Sequence, residues 1–148
     1  MIRFIRCEDA KAIRKICQAA LQHDTTEELL ARRITELSES DQYYLAVYEN
    51  DSTGQVEGFI QAEKYNLLYG ENGWNIIALA VNPEVQKNGI GRQLTASLED
   101  HAGSLGYQFV RLNCNIIRTE AHRFYEAMGY CCDKTQKRFI KKIGDSKL

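Results

Sequence analysis

The stretch Leu79-Ala80-Val81-Asn82-Pro83-Glu84-Val85-Gln86-Lys87-Asn88-Gly89-Ile90-Gly91-Arg92 decides how this chain is read. Its first residues close an apolar run, Asn75 to Val81, that is hydrophobic on both faces, as a central strand should be. Pro83 ends the pairing of that strand. Downstream, Ile90, Leu94, Leu98 and Leu105 lay a stripe along one face of a helix. Between strand and helix stand Gly89 and Gly91, which lack Cβ atoms, so several backbone N–H groups can converge on one anion at the positive helix end. The pattern reads as a phosphate cradle. It is not a dinucleotide fingerprint, because Leu94 stands where a third small residue is needed, and the chain has no Gly-Lys-Ser/Thr for a Walker loop.

Working outward from this stretch, Ile2 to Arg6 alternates like a short strand, and Asp9 is placed to cap a helix carrying Ile13, Ile16, Cys17 and Ala20. Thr25-Thr26-Glu27-Glu28 reads as a capping box, with the Thr25 hydroxyl and Glu28 carboxylate taking free amides, and opens a second helix to about Leu37. Tyr43 to Glu49 and Val56 to Glu63, joined by the turn Asp51-Ser52-Thr53-Gly54, form an antiparallel hairpin. The long helix stops at Gly106, and Tyr107 to Asn113 follows as a strand. Ala121, Phe124, Tyr125 and Met128 mark a last helix that stops at Gly129, after which Tyr130 to Asp133 and Gln136 to Ile143 are expected to close the sheet as two strands. This order predicts an α+β (mixed α/β) protein built on a single sheet.

A chain of 148 residues fits one domain, residues 1–148, with 143–148 expected to fray. A core of this size needs no metal or disulfide staple. With 44% hydrophobic and 26% charged residues the composition is that of an ordinary globular chain. No apolar run approaches the roughly 18 residues of a membrane span. Charges in Met1-Ile2-Arg3-Phe4-Ile5-Arg6 occupy the place of a signal peptide's apolar core, so the expected compartment is the cytoplasm, without membrane association. The five cysteines, Cys7, Cys17, Cys114, Cys131 and Cys132, show no C-x-x-C spacing and read as small apolar fillers in a reducing compartment, with no metal. Lys137, Arg138, Lys141 and Lys142 are expected to defend an edge strand rather than bind nucleic acid. Charge is divided unevenly: residues 1–74 carry 13 acids against 8 bases, and residues 75–148 carry 7 against 11.

A second signature follows at Arg118-Thr119-Glu120-Ala121-His122-Arg123-Phe124-Tyr125-Glu126-Ala127-Met128-Gly129-Tyr130. It resembles the motif Ala-x-x-Phe/Leu-Tyr-x-x-x-Gly-Phe/Tyr of the GNAT superfamily of acyl-CoA-dependent N-acetyltransferases. Gln86, Gly89 and Gly91 resemble that family's earlier Gln/Arg-x-x-Gly-x-Gly/Ala signature. The spacing of the two motifs and the order of elements agree with the family from Ile2 to Ile143. Arg118 departs from the Asn that many members carry three residues before the alanine.

The resemblance implies a central, splayed, mixed but mostly antiparallel sheet flanked by helices, opening after its fourth strand to receive the pantetheine arm of acetyl-CoA. Backbone groups of Leu79, Ala80 and Val81 would pair with that arm and aim an N–H at the thioester carbonyl. The turn around Gln86, with the amides of Lys87, Asn88, Gly89, Ile90 and Gly91 and with Arg92 nearby, would hold the pyrophosphate, and Phe124 would complete the cofactor site. Tyr125 would stand near the sulfur as general acid for the leaving thiolate. Glu63, at the end of the third strand, is the candidate base, and no covalent enzyme intermediate is needed. His122 reads as a capping or surface residue, and His23 and His101 as peripheral.

The implied reaction is transfer of the acetyl group of acetyl-CoA to a primary amine in a ternary complex. A non-catalytic acyl-CoA sensor is the alternative from another class. In the family the acceptor is bound by the first two helices and the loop before the fourth strand, here Gln22 to Leu37 and Lys64 to Gly73. Small-molecule and peptide amines both stay open, as does oligomeric state, a homodimer included. Between Glu39 and Glu84 the acids Glu39, Asp41, Glu49, Asp51, Glu57, Glu63, Glu71 and Glu84 face only Lys64, which suggests an acidic rim and a cationic acceptor, with Tyr65 and Tyr69 available to pack against it.

Overall fold

The computed structural model of the chain describes residues 1–145, in two compact units, 1–113 and 114–145. In the first unit, β-branched and aromatic runs form five strands: β1 (Ile2–Phe4), β2 (Tyr43–Glu49), β3 (Val56–Asn66), β4 (Asn72–Val81) and β5 (Phe109–Leu112). They lie in the order β1-β2-β3-β4-β5, antiparallel except for the parallel β4–β5 pair. Helices α1 (Ala10–Ala20) and α2 (Glu27–Ser38) follow β1, and α3 (Ile90–Ser104) follows β4.

Period-two alternation sorts the strand side chains onto two faces. Tyr44, Ala46, Ile60, Ala62, Trp74 and Ile76 pack under Ile90, Leu94 and Leu98 of α3. Val47, Phe59 and Ala80 meet Ile13, Ile16 and Cys17 of α1 and Ile34 of α2 on the other face. Leu94 and Leu98 are wholly buried, a burial worth about 1.5–3 kcal/mol for each side chain.

A bulge in β4 makes this sorting possible. Gln61 pairs with Ala78 and Ala62 with Ile76, so Ile77 has no partner on β3 and stands 46% exposed. The extra residue reverses the parity of the strand, putting Trp74 and Ile76 on the α3 face while Ala78 and Ala80 stay on the α1 face. The expected strand that is buried on both faces is therefore interrupted at its centre.

Several local expectations shift. Asp9 does not cap α1 with its side chain, because its two oxygens are held by Arg3 at 2.9 Å each and its Oδ2 also accepts from the Arg6 amide at 2.8 Å. Burial pushes the Asp9 carboxyl up, yet these hydrogen bonds prevail and hold it below its ordinary value. The cap of α2 is Thr26, whose hydroxyl accepts from Leu29 N at 3.1 Å, one residue later than the expected Thr25. Among the cysteines only Cys17 is buried; Cys7, Cys131 and Cys132 are exposed, so the filler reading fails for those three.

The second unit contains α4 (Thr119–Ala127), which ends where Gly129 takes a φ of +93° and Tyr130 N donates to Tyr125 O at 3.0 Å. The two closing strands expected at 130–133 and 136–143 are not formed: residues 130–145 carry neither helix nor strand, and Phe139 and Ile143 are each 89% exposed. Strand-forming residues make a strand only where a neighbouring strand takes their hydrogen bonds, which a local pattern does not supply. The basic residues Lys137, Arg138, Lys141 and Lys142 thus do not guard a sheet edge. Of the tail expected to fray, residues 146–148 lie outside the described residues.

Candidate active site

Asn82 starts the turn that follows β4. Its side chain accepts from Glu84 N at 3.1 Å, and Pro83 opens a single 3-10 turn through Val85. Gln86 Nε2 donates to Val81 O at 3.4 Å, tying the turn back to the strand end, so the Gln86 side chain braces the loop. Lys87 then adopts a φ of +72° and Gly89 one of +77°. Two left-handed residues so close together turn successive amides toward one side, the arrangement of an anion nest. Among the described residues, the amides of Lys87, Gly89, Ile90, Gly91 and Arg92 donate to no other group. A methyl at Gly89 would meet nothing within 4 Å, so the space before the turn is open. Arg92 is exposed beside it, whereas the Ile90 side chain is in the core and offers only its amide.

The second component is a fork between β4 and β5. Their parallel register runs from Gly73↔Phe109 to Ile76↔Leu112 and stops there. From Ala78 to Val81, β4 keeps β3 on one side and, among the described residues, has no strand on the other. Leu79, Ala80 and Val81 lie on this unpaired edge. The bulge at Ile77 marks the vertex.

Just before that vertex, three register-matched residues cross the sheet: Glu63 on β3, Asn75 on β4 and Arg111 on β5. Asn75 Nδ2 donates to Glu63 Oε2 at 3.4 Å, and Arg111 Nη1 donates to Asn75 Oδ1 at 2.6 Å. Arg111 Nη2 donates to Asn113 Oδ1 at 2.8 Å, and the guanidinium carbon lies 4.6 Å from the centre of the Tyr65 ring. Glu63 is half-buried rather than fully solvated.

In the second unit, Phe124 and Tyr125 stack edge to face at 5.1 Å, and Tyr125 meets Tyr130 at 5.7 Å. Burial, with a smaller push from Cys114 and a pull the other way from Arg118, raises the Tyr125 phenol to about 12. His122 Nε2 sits 2.9 Å from Asn115 O, which ties the ring to the loop before α4. His101 is not peripheral: its ring packs 5.0 Å from Tyr44 and 5.7 Å from Trp74.

The eight acids expected to form one rim are dispersed. Glu49 binds Arg3, Asp51 meets the N-terminus, and Glu57 is buried against Asn50, all at one end of the β2–β3 hairpin. Glu63 lies near the other end, where Asp41 pairs with Lys64. Tyr65 belongs to β3 rather than to a loop, and one of its faces is occupied by Arg111. Asn75 and Arg111 were missed by the sequence reading. The signal for Arg111 was a charge in the middle of a four-residue strand.

Among the described residues there is no cluster of three or more His, Cys, Asp or Glu able to hold a metal ion, and no helix is long and apolar enough to cross a membrane.

The profile of the Acetyltransferase (GNAT) family matches residues 10–130. An aminoalkylphosphonate N-acetyltransferase of Salmonella typhimurium is 36% identical over 92 residues, a stretch covering 61% of this chain and 58% of that protein. A mycothiol acetyltransferase of Nocardiopsis dassonvillei is 29% identical over 110 residues, 72% of this chain and 32% of the relative. The chain thus spans well under two thirds of either relative. Among solved structures, AAC(6')-Iy in complex with the bisubstrate analogue CoA-S-monomethyl-acetylneamine superposes with a TM-score of 0.81 at 16% identity, covering 97% of this chain and 98% of the other. The glucosamine-6-phosphate N-acetyltransferase of Arabidopsis thaliana gives a TM-score of 0.73 at 21% identity, covering 98% of each chain. At these identities the two superpositions establish the fold.

Proposed function

This chain belongs to the GNAT acetyltransferase family, and from that membership we propose that it transfers the acetyl group of acetyl-CoA to a small primary amine by direct attack, with residues 1–148 acting as one domain. The observation that carries the reading is the joint presence of the open amide turn at residues 87–92 and the unpaired edge of β4 from Ala78 to Val81. The turn suits a pyrophosphate, since its open amides stand at the N-terminus of α3, whose helix dipole adds to them. The edge suits an extended amide-bearing arm, which can pair as an added strand.

Acetyl-CoA supplies the activated acyl group. In this proposal the backbone of Leu79, Ala80 and Val81 orients the thioester, and Lys87 to Gly91 and Arg92 hold the phosphates. Glu63 takes the proton of the incoming ammonium, directly or through a water; the free amine then forms the new C–N bond as the C–S bond breaks, and the second proton shed by that nitrogen goes to the departing thiolate, which leaves as the free thiol of coenzyme A. Tyr125 is the donor toward the departing sulfur. A phenol raised to about 12 keeps its proton throughout the neutral range. It is a weaker acid than a thiol of pKa near ~8.5, so it acts chiefly by hydrogen-bonding the sulfur as negative charge develops.

The Salmonella relative is named for an aminoalkylphosphonate, which is a small amine, and this supports an acceptor of that size. The cytoplasm is the proposed compartment, supported by five cysteines that are all free. The test is release of free thiol from acetyl-CoA in the presence of an amine panel, alongside calorimetric binding of acetyl-CoA. Amine-dependent release is expected. Tight binding with no release by any amine would replace the enzyme with a sensor of acyl-CoA.

A further inference from the structure

Arg111 is held more firmly than a surface arginine needs to be. It is half-buried in the middle of β5, two of its N–H groups are spent on the side-chain oxygens of Asn75 and Asn113, and its plane lies on Tyr65. All of these partners are neutral. Among the described residues Arg111 forms an ion pair with no carboxylate, although Glu63 stands only one strand away.

Asn75 keeps the two charges apart. Its oxygen faces the guanidinium, its NH₂ faces the carboxylate, and only this orientation satisfies both neighbours. The amide therefore spaces an anion and a cation that would otherwise collapse onto each other. The result is a fixed pair of opposite charges, separated by the width of one amide and its hydrogen bonds, at the vertex of the β4–β5 fork. Three guanidinium N–H groups are left over, arranged in the planar fork that suits two oxygens of one anion.

We propose that Arg111 is an anion-recognition residue for the acceptor, and that the acceptor is an amine carrying a carboxylate or a tetrahedral oxyanion a few bonds from its nitrogen. Arg111 takes the acidic oxygens, Asn75 sets the spacing, and Glu63 receives the ammonium at the other end. Tyr65 contributes by covering one face of the guanidinium, which is planar in itself, and so holds the orientation of that plane. Polyamines, which bring only positive charge, suit the Glu63 end and are repelled at the Arg111 end. This assignment rests on the acetyltransferase reading for the role of Glu63, while the anion site stands on its own contacts.

The experiment compares three acceptors of similar size, β-alanine, 2-aminoethylphosphonate and the neutral 2-aminoethanol. It measures kcat/KM by thiol release and, separately, protection against thermal unfolding by each compound without acetyl-CoA. The wild-type protein is expected to prefer one or both anionic amines over 2-aminoethanol by about 10- to 100-fold, the scale of one charge-assisted pair. The two anionic arms distinguish a carboxylate from a phosphonate site. In R111Q the preference ratio is expected to collapse toward one. N75D, which leaves Arg111 in place but gives it an anionic partner, is expected to lose the preference as well, so the outcome does not hang on the folding of a single variant. Thiol release with a neutral or polycationic amine favoured, or an anion preference that survives in both variants, would overturn the proposal while leaving the acetyltransferase reading intact. Protection by an anionic amine that is lost in R111Q, without thiol release, would sustain the anion site and overturn the enzyme. Absence of both protection and preference in the wild type would overturn the anion site.

Discussion

Gly58 of β3 lies directly under Ile90, the first residue of α3: a methyl group on Gly58 would come within 3.0 Å of Ile90 Cγ2 and 3.1 Å of the Ala80 carbonyl oxygen. The contact places the start of α3, and hence the amides of the proposed phosphate turn, against the end of β4, because Gly58 is also paired with Val81. Gly58→Ala must therefore push the helix start away or deform β4. We expect a loss of about 1–3 kcal/mol in a urea titration, the usual cost of overpacking, together with weaker acetyl-CoA binding by calorimetry. Unchanged stability and affinity would show that the helix start is not seated by this contact.

Gly89 faces the opposite situation. Nothing lies within 4 Å of a methyl placed there, but its φ of +77° is left-handed, a conformation that β-branched residues resist. Gly89→Val should cost about 1–2 kcal/mol of backbone strain or rearrange the turn, and in either case should abolish acetyl-CoA binding in a protein that still unfolds cooperatively. Affinity retained in the folded variant would remove this turn from the binding site.

Tyr125→Phe keeps the ring and deletes the donor. Turnover is expected to fall about 10²-fold with little change in acetyl-CoA affinity. The variant also carries a stability signature. The folded phenol is raised to about 12 from an ordinary value of 10.0, so the unfolded chain loses its proton first as pH rises. The wild type should hold its full Tyr125 contribution below pH 10 and lose it between 10 and about 12. The substituted ring has nothing to titrate, so the stability of the wild type relative to Y125F should decline over that window. An equal loss of turnover and cofactor affinity in Y125F would assign Tyr125 to packing.

Much of the architecture was legible because it is local. The stripe of Ile13, Ile16 and Cys17 on α1, the β2–β3 hairpin and the glycine turn before α3 each follow from periodicity or from a backbone that only small residues adopt readily. The strand bounds Tyr43–Glu49 were read to the residue, since the pattern changes sharply at both ends. The residues of the proposed phosphate turn were visible through Gly89-x-Gly91, whereas Glu63, expected to close the third strand, lies inside β3, which continues in register with β4 to Asn66. The last segment was not legible: the apolar residues at 139, 140 and 143 suggested a strand, but pairing is not encoded in one segment alone.

What the sequence by itself determined was the order of elements from β1 to α4, the family signatures and the turn that precedes α3, all of which depend on residues close together in the chain. Only the tertiary structure decided that Ile77 is squeezed out as a bulge, because the choice lies in which face of β4 can bury Trp74 and Ile76 beneath α3. It also decided that Glu63, Asn75 and Arg111 share one row. Asn75 and Arg111 are 36 residues apart, and no local pattern can set the register between two strands joined through a helix. The acids that look continuous from Glu39 to Glu84 are divided for the same reason: a hairpin folds neighbours in sequence to opposite ends, so a net charge counted along the chain is not a field at a site.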